Sequence, residues 1–219
     1  MKLLFASVAA SLFALSFASC KSDAVATKGI CDTVCVKDSM KFTNENHKLK
    51  PYVYIAASNC NADTISWSYI DMGTARQANI NDLTGRPVKL NPAAVDCFIK
   101  DTSYAWLQFN DCATGRGYLI KIPYSSYVKG NTLSSAMTKF DPKFSIADGL
   151  AVYSDRGNLF AEDMATGKIA QMTFKQRVEI DYDNLHEYVD SVNVTASKMW
   201  AKVKIGQDWK VFEKEISLK

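Results

Sequence analysis

The six cysteines of this sequence could form disulfides, bind a metal or carry a covalent lipid. Cys20 closes an apolar leader, and the other five are Cys31, Cys35, Cys60, Cys97 and Cys112. An exported chain folds where disulfides form, and five cysteines permit at most two bridges within one molecule. Cys97 and Cys112 flank a predicted hairpin, and closing that loop would contribute about 3 kcal/mol on the chain-entropy model. Cys60 with Cys31 or Cys35 is the second expected bridge, and buried free thiols are the alternative.

Metal ligands and acid–base groups are sparse. Cys31 and Cys35 have a tolerable spacing for zinc, but no second close pair of Cys or His follows, and His47 stands alone. The densest acidic cluster lacks an EF-hand glycine, so a solvated loop is favoured over a calcium site; its members are Asp181, Asp183, Glu187 and Asp190. His186 could act as a base, although a histidine that titrates in water is the simpler interpretation. We therefore predict no metal and no cofactor.

Nucleophile and nucleotide-binding motifs are absent from the sequence, including Gly-x-Ser-x-Gly, HExxH, the P-loop and the dinucleotide fingerprint. Four tryptophans could stack on sugars. Trp67 and Trp106 lie within predicted central strands and are expected in the core. Trp209 lies in a predicted turn, so it is the candidate ligand contact.

The first nineteen residues differ from the rest of the chain. Lys2 gives a minimal positive start, an apolar and small-residue run follows, and the composition turns polar after Cys20. This pattern predicts a secretory signal peptide over residues 1–19, with a retained anchor helix as the alternative.

The ending Phe17-Ala18-Ser19-Cys20 resembles the lipobox of bacterial lipoproteins. The resemblance implies that the Cys20 thiol carries diacylglycerol, that the leader is cut before it, and that the new amino terminus can be acylated too. Each CH₂ group buried in the bilayer contributes about 0.8 kcal/mol to membrane binding, so two or three acyl chains make a stable anchor where one does not. Lys21 in place of Asp resembles lipoproteins sent to the outer membrane. We expect a tether over residues 20–30 and one domain over residues 31–219.

Composition is that of an ordinary globular protein, with 219 residues, 47% hydrophobic and 22% charged residues, and a formal net charge of +3. Lys and Arg are spread among Asp and Glu along the chain. This distribution argues against a nucleic-acid partner.

Short apolar runs separated by turn residues dominate the chain after the leader. The clearest example spans residues 149–174, where three such runs are joined by segments that contain Gly157 and Gly167. This pattern predicts a three-stranded antiparallel meander. Similar groups precede and follow it, so we expect an all-β fold. Residues 125–142 are Ser-, Thr- and Lys-rich and predict a long loop, and residues 181–190 predict a short helical turn.

A turn with Asp, a small residue, Thr and a basic residue recurs at residues 71–76, 111–116 and 163–168, with starts 40 and 52 residues apart. This turn resembles the one between the outer strands of many quinoprotein-type β-propeller blades. The resemblance implies four four-stranded blades, and a β-sandwich built from the same hairpins is the alternative.

We expect these features to describe an outer-membrane lipoprotein, exposed on the periplasmic or the cell-surface side, that acts as a binding or structural module. Its partners would be the membrane, through the lipid anchor, and an envelope protein or glycan. A hydrolase or lyase on the same scaffold and an accessory subunit of an envelope complex are the alternatives. An enzyme should gather carboxylates in one pocket, whereas a binding module should expose an aromatic or apolar patch.

Overall fold

The computed structural model describes residues 36–59 and 61–218. The predicted signal peptide and tether, together with Cys20, Cys31, Cys35 and Cys60, lie outside the described residues.

Strands form most of the described chain. In chain order they are β1 Met40–Thr43, β2 Tyr52–Ser58, β3 Asn61–Ser68, β4 Arg76–Asn79, β5 Val95–Lys100, β6 Tyr104–Asn110, β7 Gly117–Pro123, β8 Asn131–Met137, β9 Phe144–Ile146, β10 Leu150–Asp155, β11 Asn158–Asp163, β12 Ile169–Thr173, β13 Val189–Val194, β14 Lys198–Ile205 and β15 Asp208–Glu215. One short α-helix, α1 (Ile80–Thr84), and two 3₁₀ helices (Pro92–Ala94 and Tyr182–Glu187) complete the described elements. The predicted all-β class is confirmed.

The strands form three sheets. The N-terminal sheet has the order β1-β2-β3-β4, the central sheet has the order β12-β11-β10-β8-β7-β6-β5, and the C-terminal sheet has the order β15-β14-β13-β9. Pairing is antiparallel except between β9 and β13, which run parallel.

The two smaller sheets pack side by side on one face of the central sheet. The N-terminal sheet supplies Val53 and Ile55 to a core that also contains Leu107 and Phe109 of β6. The C-terminal sheet supplies residues such as Ala201 to a second core with Val152 of β10 and its neighbours. Alternation along each strand places these residues on one face, which excludes water from both layers.

The opposite face of the central sheet curls around a third, smaller apolar cluster. Trp106 is its largest member, with 1% of its surface exposed, and Ala151 and Met164 pack in the same cluster. The Tyr104 hydroxyl donates to the Met164 carbonyl oxygen at 2.7 Å, which brings β6 near the turn after β11. Curvature therefore gives the sheet the shape of a half-barrel.

The meander predicted over residues 149–174 is present as β10, β11 and β12, paired in sequence. Four separate blades are not found among the described residues, because the second and third strand groups join into the seven-stranded central sheet through β8. This layered arrangement is closer to the sandwich alternative than to a ring of blades. Strand β8 lies inside the predicted long loop, and its sequence (NTLSSAM) lacks the apolar alternation that would have indicated a strand.

Two copies of the repeated turn share one geometry. Thr114 Oγ1 donates to Asp111 Oδ2 at 2.8 Å, and Thr166 Oγ1 donates to Asp163 Oδ1 at 2.9 Å. In each copy the glycine that follows the threonine has positive φ, and its N–H donates to the aspartate carbonyl oxygen. The turn at residues 71–76 lacks a glycine at that place and shows different hydrogen bonds. The sequence similarity thus corresponds to a shared local turn and not to a repeated blade.

Alternating strand direction divides the connections between two ends of the molecule. At the end defined here as the tip end, the Tyr124 N–H donates to the Ser103 carbonyl oxygen, just before the β7–β8 loop (residues 125–130). The β10–β11 turn lies at this same end of the central sheet, because β10 runs antiparallel to β8 with Val152 opposite Met137. There the Phe174 N–H donates to the Gly157 carbonyl oxygen at 2.8 Å. The β6–β7 and β11–β12 turns lie at the opposite end of the sheet.

Candidate functional site: an exposed tryptophan beside a polar cleft

Trp209 is a solvent-exposed aromatic residue on the last strand, with 42% of its surface accessible. It lies in β15 and pairs with Lys204 of β14, instead of lying in the predicted turn. Val211 lies two residues further along the same face and is 57% exposed. Because β15 is an edge strand of its sheet, these side chains are accessible from the front and from the side.

A lysine holds the tryptophan ring from the neighbouring strand. The Lys202 ammonium lies 5.8 Å from the Trp209 ring centroid and 3.3 Å from Asp190 Oδ2. A cation over an aromatic face at this distance contributes about 0.5–1 kcal/mol at an exposed site. One face of the ring is therefore supported by the protein.

A cleft of about 260 Å³ opens next to this tryptophan. The residues that line it come from the segment after β12, from the end of the second 3₁₀ helix and from the β14–β15 hairpin: Gln176, Arg177, Val178, Glu179, Glu187, Tyr188, Lys204 and Gly206. Lys204 is the cross-strand neighbour of Trp209, so the aromatic ring and the cleft form one continuous surface, named here the Trp209 cleft.

The charges of the Trp209 cleft balance. Arg177 and Lys204 oppose Glu179 and Glu187, and the Arg177 guanidinium lies 2.9 Å from the Glu179 carboxylate. A cleft with both signs and no net charge favours a neutral ligand with many hydroxyl groups over a strongly charged one. Of the lining residues, only Glu187 was singled out from the sequence, as a member of the acidic cluster. The others were missed because they come from separate segments that only the fold brings together.

Trp67 and Trp106 were both expected in the core. Trp106 is buried within the curl of the central sheet, which confirms the expectation for that residue. Trp67 is half-buried, and its Nε1 donates to the Pro123 carbonyl oxygen at 2.9 Å. Both rings are part of the fold and are not available to a ligand in the way that Trp209 is.

The acidic cluster predicted around residue 185 is dispersed. Asp183 is bound by Arg86 and Arg116, Asp190 is paired with Lys202, and the Asp181 side chain caps the 3₁₀ helix by accepting from the Asp183 N–H. Among residues 36–59 and 61–218, no group of three or more His, Cys, Asp or Glu side chains is arranged to hold a metal ion.

His186 forms a pair with a buried carboxylate. Its Nε2 lies 2.8 Å from Asp141 Oδ2, and Asp141 is 1% exposed. The hydrogen bond to Asp141 raises the pKa of His186, with partial burial opposing the shift. His47 behaves differently: it lies in a turn, where its Nδ1 accepts from the Leu49 N–H at 3.2 Å. Neither histidine lines the Trp209 cleft.

The cysteine pairing expected between Cys97 and Cys112 is wrong. Cys97 is a free thiol in β5, whereas Cys112 is disulfide-bonded. Cys97 pairs with Leu107 across the sheet, and burial raises the pKa of its thiol. The predicted hairpin is real, but Cys112 lies two residues beyond the end of β6, so the two cysteines are not opposite each other.

An ion pair on the curled face was also missed. Lys121 Nζ lies 3.0 Å from Glu162 Oε1 and within 5 Å of the ring centroids of Tyr104 (4.6 Å) and Trp106 (4.8 Å). Lys121 and Glu162 are 41 residues apart in the sequence, on strands that the fold brings to the same face. The rings and the lysine stem fill the curl, so this pair stabilises the half-barrel.

Comparisons with known proteins add no family. No protein-family model matches the chain, and no curated protein is significantly similar to it. Within the described part of the chain, no helix has the length and the apolar composition needed to cross a membrane.

Proposed function

We propose that this chain is a lipid-anchored binding module of the bacterial cell envelope and that the Trp209 cleft recognises a neutral glycan. The observation that carries the proposal is the continuity between an exposed tryptophan and a polar, charge-balanced cleft. The lipid anchor at Cys20 and the outer-membrane location are supported by the sequence alone.

Sugar recognition requires two kinds of surface. The C–H face of a sugar ring packs on an aromatic side chain, and its hydroxyls exchange hydrogen bonds with amide and charged groups. Trp209 supplies the first surface, while Gln176, Glu187 and Lys204 supply donors and acceptors beside it. The free face of the Trp209 ring is the expected platform.

Titration of the purified mature protein with neutral oligosaccharides and with insoluble peptidoglycan tests the proposal, by tryptophan fluorescence, calorimetry and co-sedimentation. We expect Trp209→Ala to weaken binding about tenfold or more, because the stacking platform is lost. Tyr127→Ala is the matched control: it removes an exposed aromatic from the tip end and should leave glycan binding unchanged. Equal binding by Trp209→Ala and the parent protein would rule out the Trp209 cleft as the site.

Hydrolysis of a bound glycan is the second candidate function, because Glu179 and Glu187 line the same cleft and glycoside hydrolysis uses a pair of carboxylates. Both side chains are solvent-exposed, and Glu179 is paired with Arg177. Such surroundings suit recognition better than acid catalysis, which uses a carboxyl group in an apolar environment. Release of reducing ends that disappears in Glu187→Gln while binding persists would favour the enzyme.

The anchor is tested in cells with a clickable fatty acid. The parent protein should incorporate the label and sediment with the outer membrane, and Cys20→Ala should do neither. Labelling of Cys20→Ala to the level of the parent would remove the lipid anchor from the proposal without affecting the Trp209 cleft.

A further inference from the structure

The β7–β8 loop forms a projecting apolar tip. All six residues from 125 to 130 are exposed, and Tyr127 at their centre is 98% exposed. Val128 beside it is 57% exposed, and Lys129 follows. A tyrosine this exposed buries almost none of its surface in the fold, so its ring is accessible to a partner.

A further exposed apolar side chain lies at the same end. Ile70 is 49% exposed and follows Tyr69, whose ring packs edge-on against Tyr124 with centroids 5.9 Å apart. Of the six large exposed hydrophobic residues in the described chain, three therefore lie at the tip end: Ile70, Tyr127 and Val128.

The base of the tip is held firmly. The Pro123 carbonyl oxygen accepts from Trp67 Nε1, and the Tyr124 hydroxyl donates to the Tyr52 carbonyl oxygen at 3.2 Å. Both contacts tie the end of β7 to the N-terminal sheet. The loop therefore projects in a fixed direction from the molecule.

We propose that the tip end contacts the lipid bilayer, with Tyr127 and Val128 inserted among the headgroups and Lys129 facing anionic lipid; this inference rests on the lipid anchor of the proposed function. Tyrosine is enriched at membrane interfaces because its ring is apolar and its hydroxyl is hydrated. A lysine near the surface gains about 1 kcal/mol from anionic headgroups.

The length of the tether permits this orientation. Fifteen residues separate Cys20 from Val36, which corresponds to about 50 Å when extended. The longest strands have eight residues, about 26 Å, so the tether can pass along the body and let the tip end face the membrane. A tethered body also meets the bilayer at high effective concentration, so a weak contact is sufficient.

Brominated lipids test the contact directly. The acylated mature protein carrying Tyr127→Trp is reconstituted into phosphatidylethanolamine–phosphatidylglycerol vesicles with and without brominated acyl chains. We expect the fluorescence that this variant adds over the parent to be quenched by about half or more. Val211→Trp is the matched control on β15, and the fluorescence that it adds should not be quenched.

The vesicle experiment has outcomes that separate the tip contact from the lipid anchor. Vesicle-bound protein without quenching of the added tryptophan would overturn the tip contact and leave the anchor and the Trp209 cleft standing. Failure of the acylated protein to bind vesicles would overturn the anchor and the tip contact together. Binding of oligosaccharides by the Trp209 cleft is measured in a different experiment and is not affected by this result. Equal quenching of the added fluorescence in both variants would indicate general adsorption to the vesicle and would overturn the lipid contact. A change in the Tyr127→Trp fluorescence that appears only after envelope proteins are added would assign the tip to a protein partner and would also overturn the lipid contact.

Discussion

The Asp183 carboxylate accepts two hydrogen bonds from the Arg86 guanidinium, with Nη1–Oδ2 at 2.8 Å and Nη2–Oδ1 at 2.7 Å. Arg116 donates a third from Nε to Asp183 Oδ1 at 2.8 Å. Arg86 follows α1 and Arg116 precedes β7, whereas Asp183 lies in the 3₁₀ helix that leads into the C-terminal sheet. This cluster therefore links the two regions that pack on the central sheet. The hydrogen bond from Arg86 and the charges of both arginines lower the pKa of the Asp183 carboxyl.

Asp183→Asn should destabilise the protein by about 1–3 kcal/mol, because two guanidinium groups lose their charged acceptor. Urea unfolding followed by circular dichroism measures the change. The control is Glu179→Gln, which removes an ion pair that is exposed on both sides and should change stability by less than about 0.5 kcal/mol. Equal effects of the two substitutions would show that the Asp183 cluster contributes no more than a surface ion pair.

Gly117→Ala should be among the most damaging single-methyl additions. A Cβ at this position would lie 2.3 Å from the carbonyl oxygen of Ala136, in the irregular pairing between β7 and β8. Backbone atoms cannot rotate aside as a side chain can, so we expect a loss near the upper end of overpacking costs, about 3 kcal/mol, measured as a shift of the urea midpoint.

Gly167→Ala provides the comparison for the Gly117 substitution. Gly167 has φ of +73°, and a Cβ there would meet nothing within 4 Å. Its cost is therefore backbone strain alone, about 1 kcal/mol. If Gly117→Ala folds with a smaller loss than Gly167→Ala, the close approach of Ala136 to β7 is wrong.

Local turn chemistry could be predicted from the sequence, whereas sheet membership could not. The glycines at residues 157 and 167 and the Asp-to-Thr spacing specify turns that depend only on neighbouring residues. The pairing of β7 with β8 is not specified by neighbouring residues, and the polar sequence of β8 lacks the apolar alternation that indicates a strand. A repeated turn was therefore mistaken for a repeated blade.

In the candidate site, too, the local feature could be predicted from the sequence and the long-range arrangement could not. Trp209 could be singled out because an aromatic residue beside Gly206 and Asp208 predicts exposure. The cleft could not, because its residues derive from three segments joined by long-range packing. Likewise, Asp141 was not anticipated as the partner of His186, because 45 residues separate them in the sequence.

Cys97 should react slowly in the folded protein, because burial and, to a lesser extent, the charge of Asp96 raise the pKa of its thiol, and the thiolate is the reactive form. Alkylation without reductant at pH 8, followed by peptide mass spectrometry, should label Cys97 quickly in denaturant and slowly under native conditions. Cys112 should stay unlabelled in both conditions until reductant is added. Rapid native labelling of Cys97, or labelling of Cys112 without reductant, would contradict these assignments.

The pair between His186 and Asp141 should make stability depend on pH in a defined direction. The pKa of His186 is raised in the folded state above its ordinary value of 6.5. The protonated histidine therefore stabilises the fold fully below pH 6.5, and this contribution is lost as the pH rises through the folded-state pKa. His186→Ala leaves the buried Asp141 without this partner and should cost about 1–3 kcal/mol at pH 5.

The measurement is the difference in unfolding free energy between the parent protein and His186→Ala from pH 5 to pH 9. Using the difference cancels titrations that both proteins share. We expect it to be largest at the acidic end and to decrease as the pH rises, because deprotonation removes the histidine charge in the parent. His47→Ala, at the turn histidine, is the control and should give a smaller difference at pH 5, because no buried carboxylate loses its partner there. A His186 difference that grows with increasing pH would mean that neutral histidine is the stabilising form, and the charged pair with Asp141 would then be wrong.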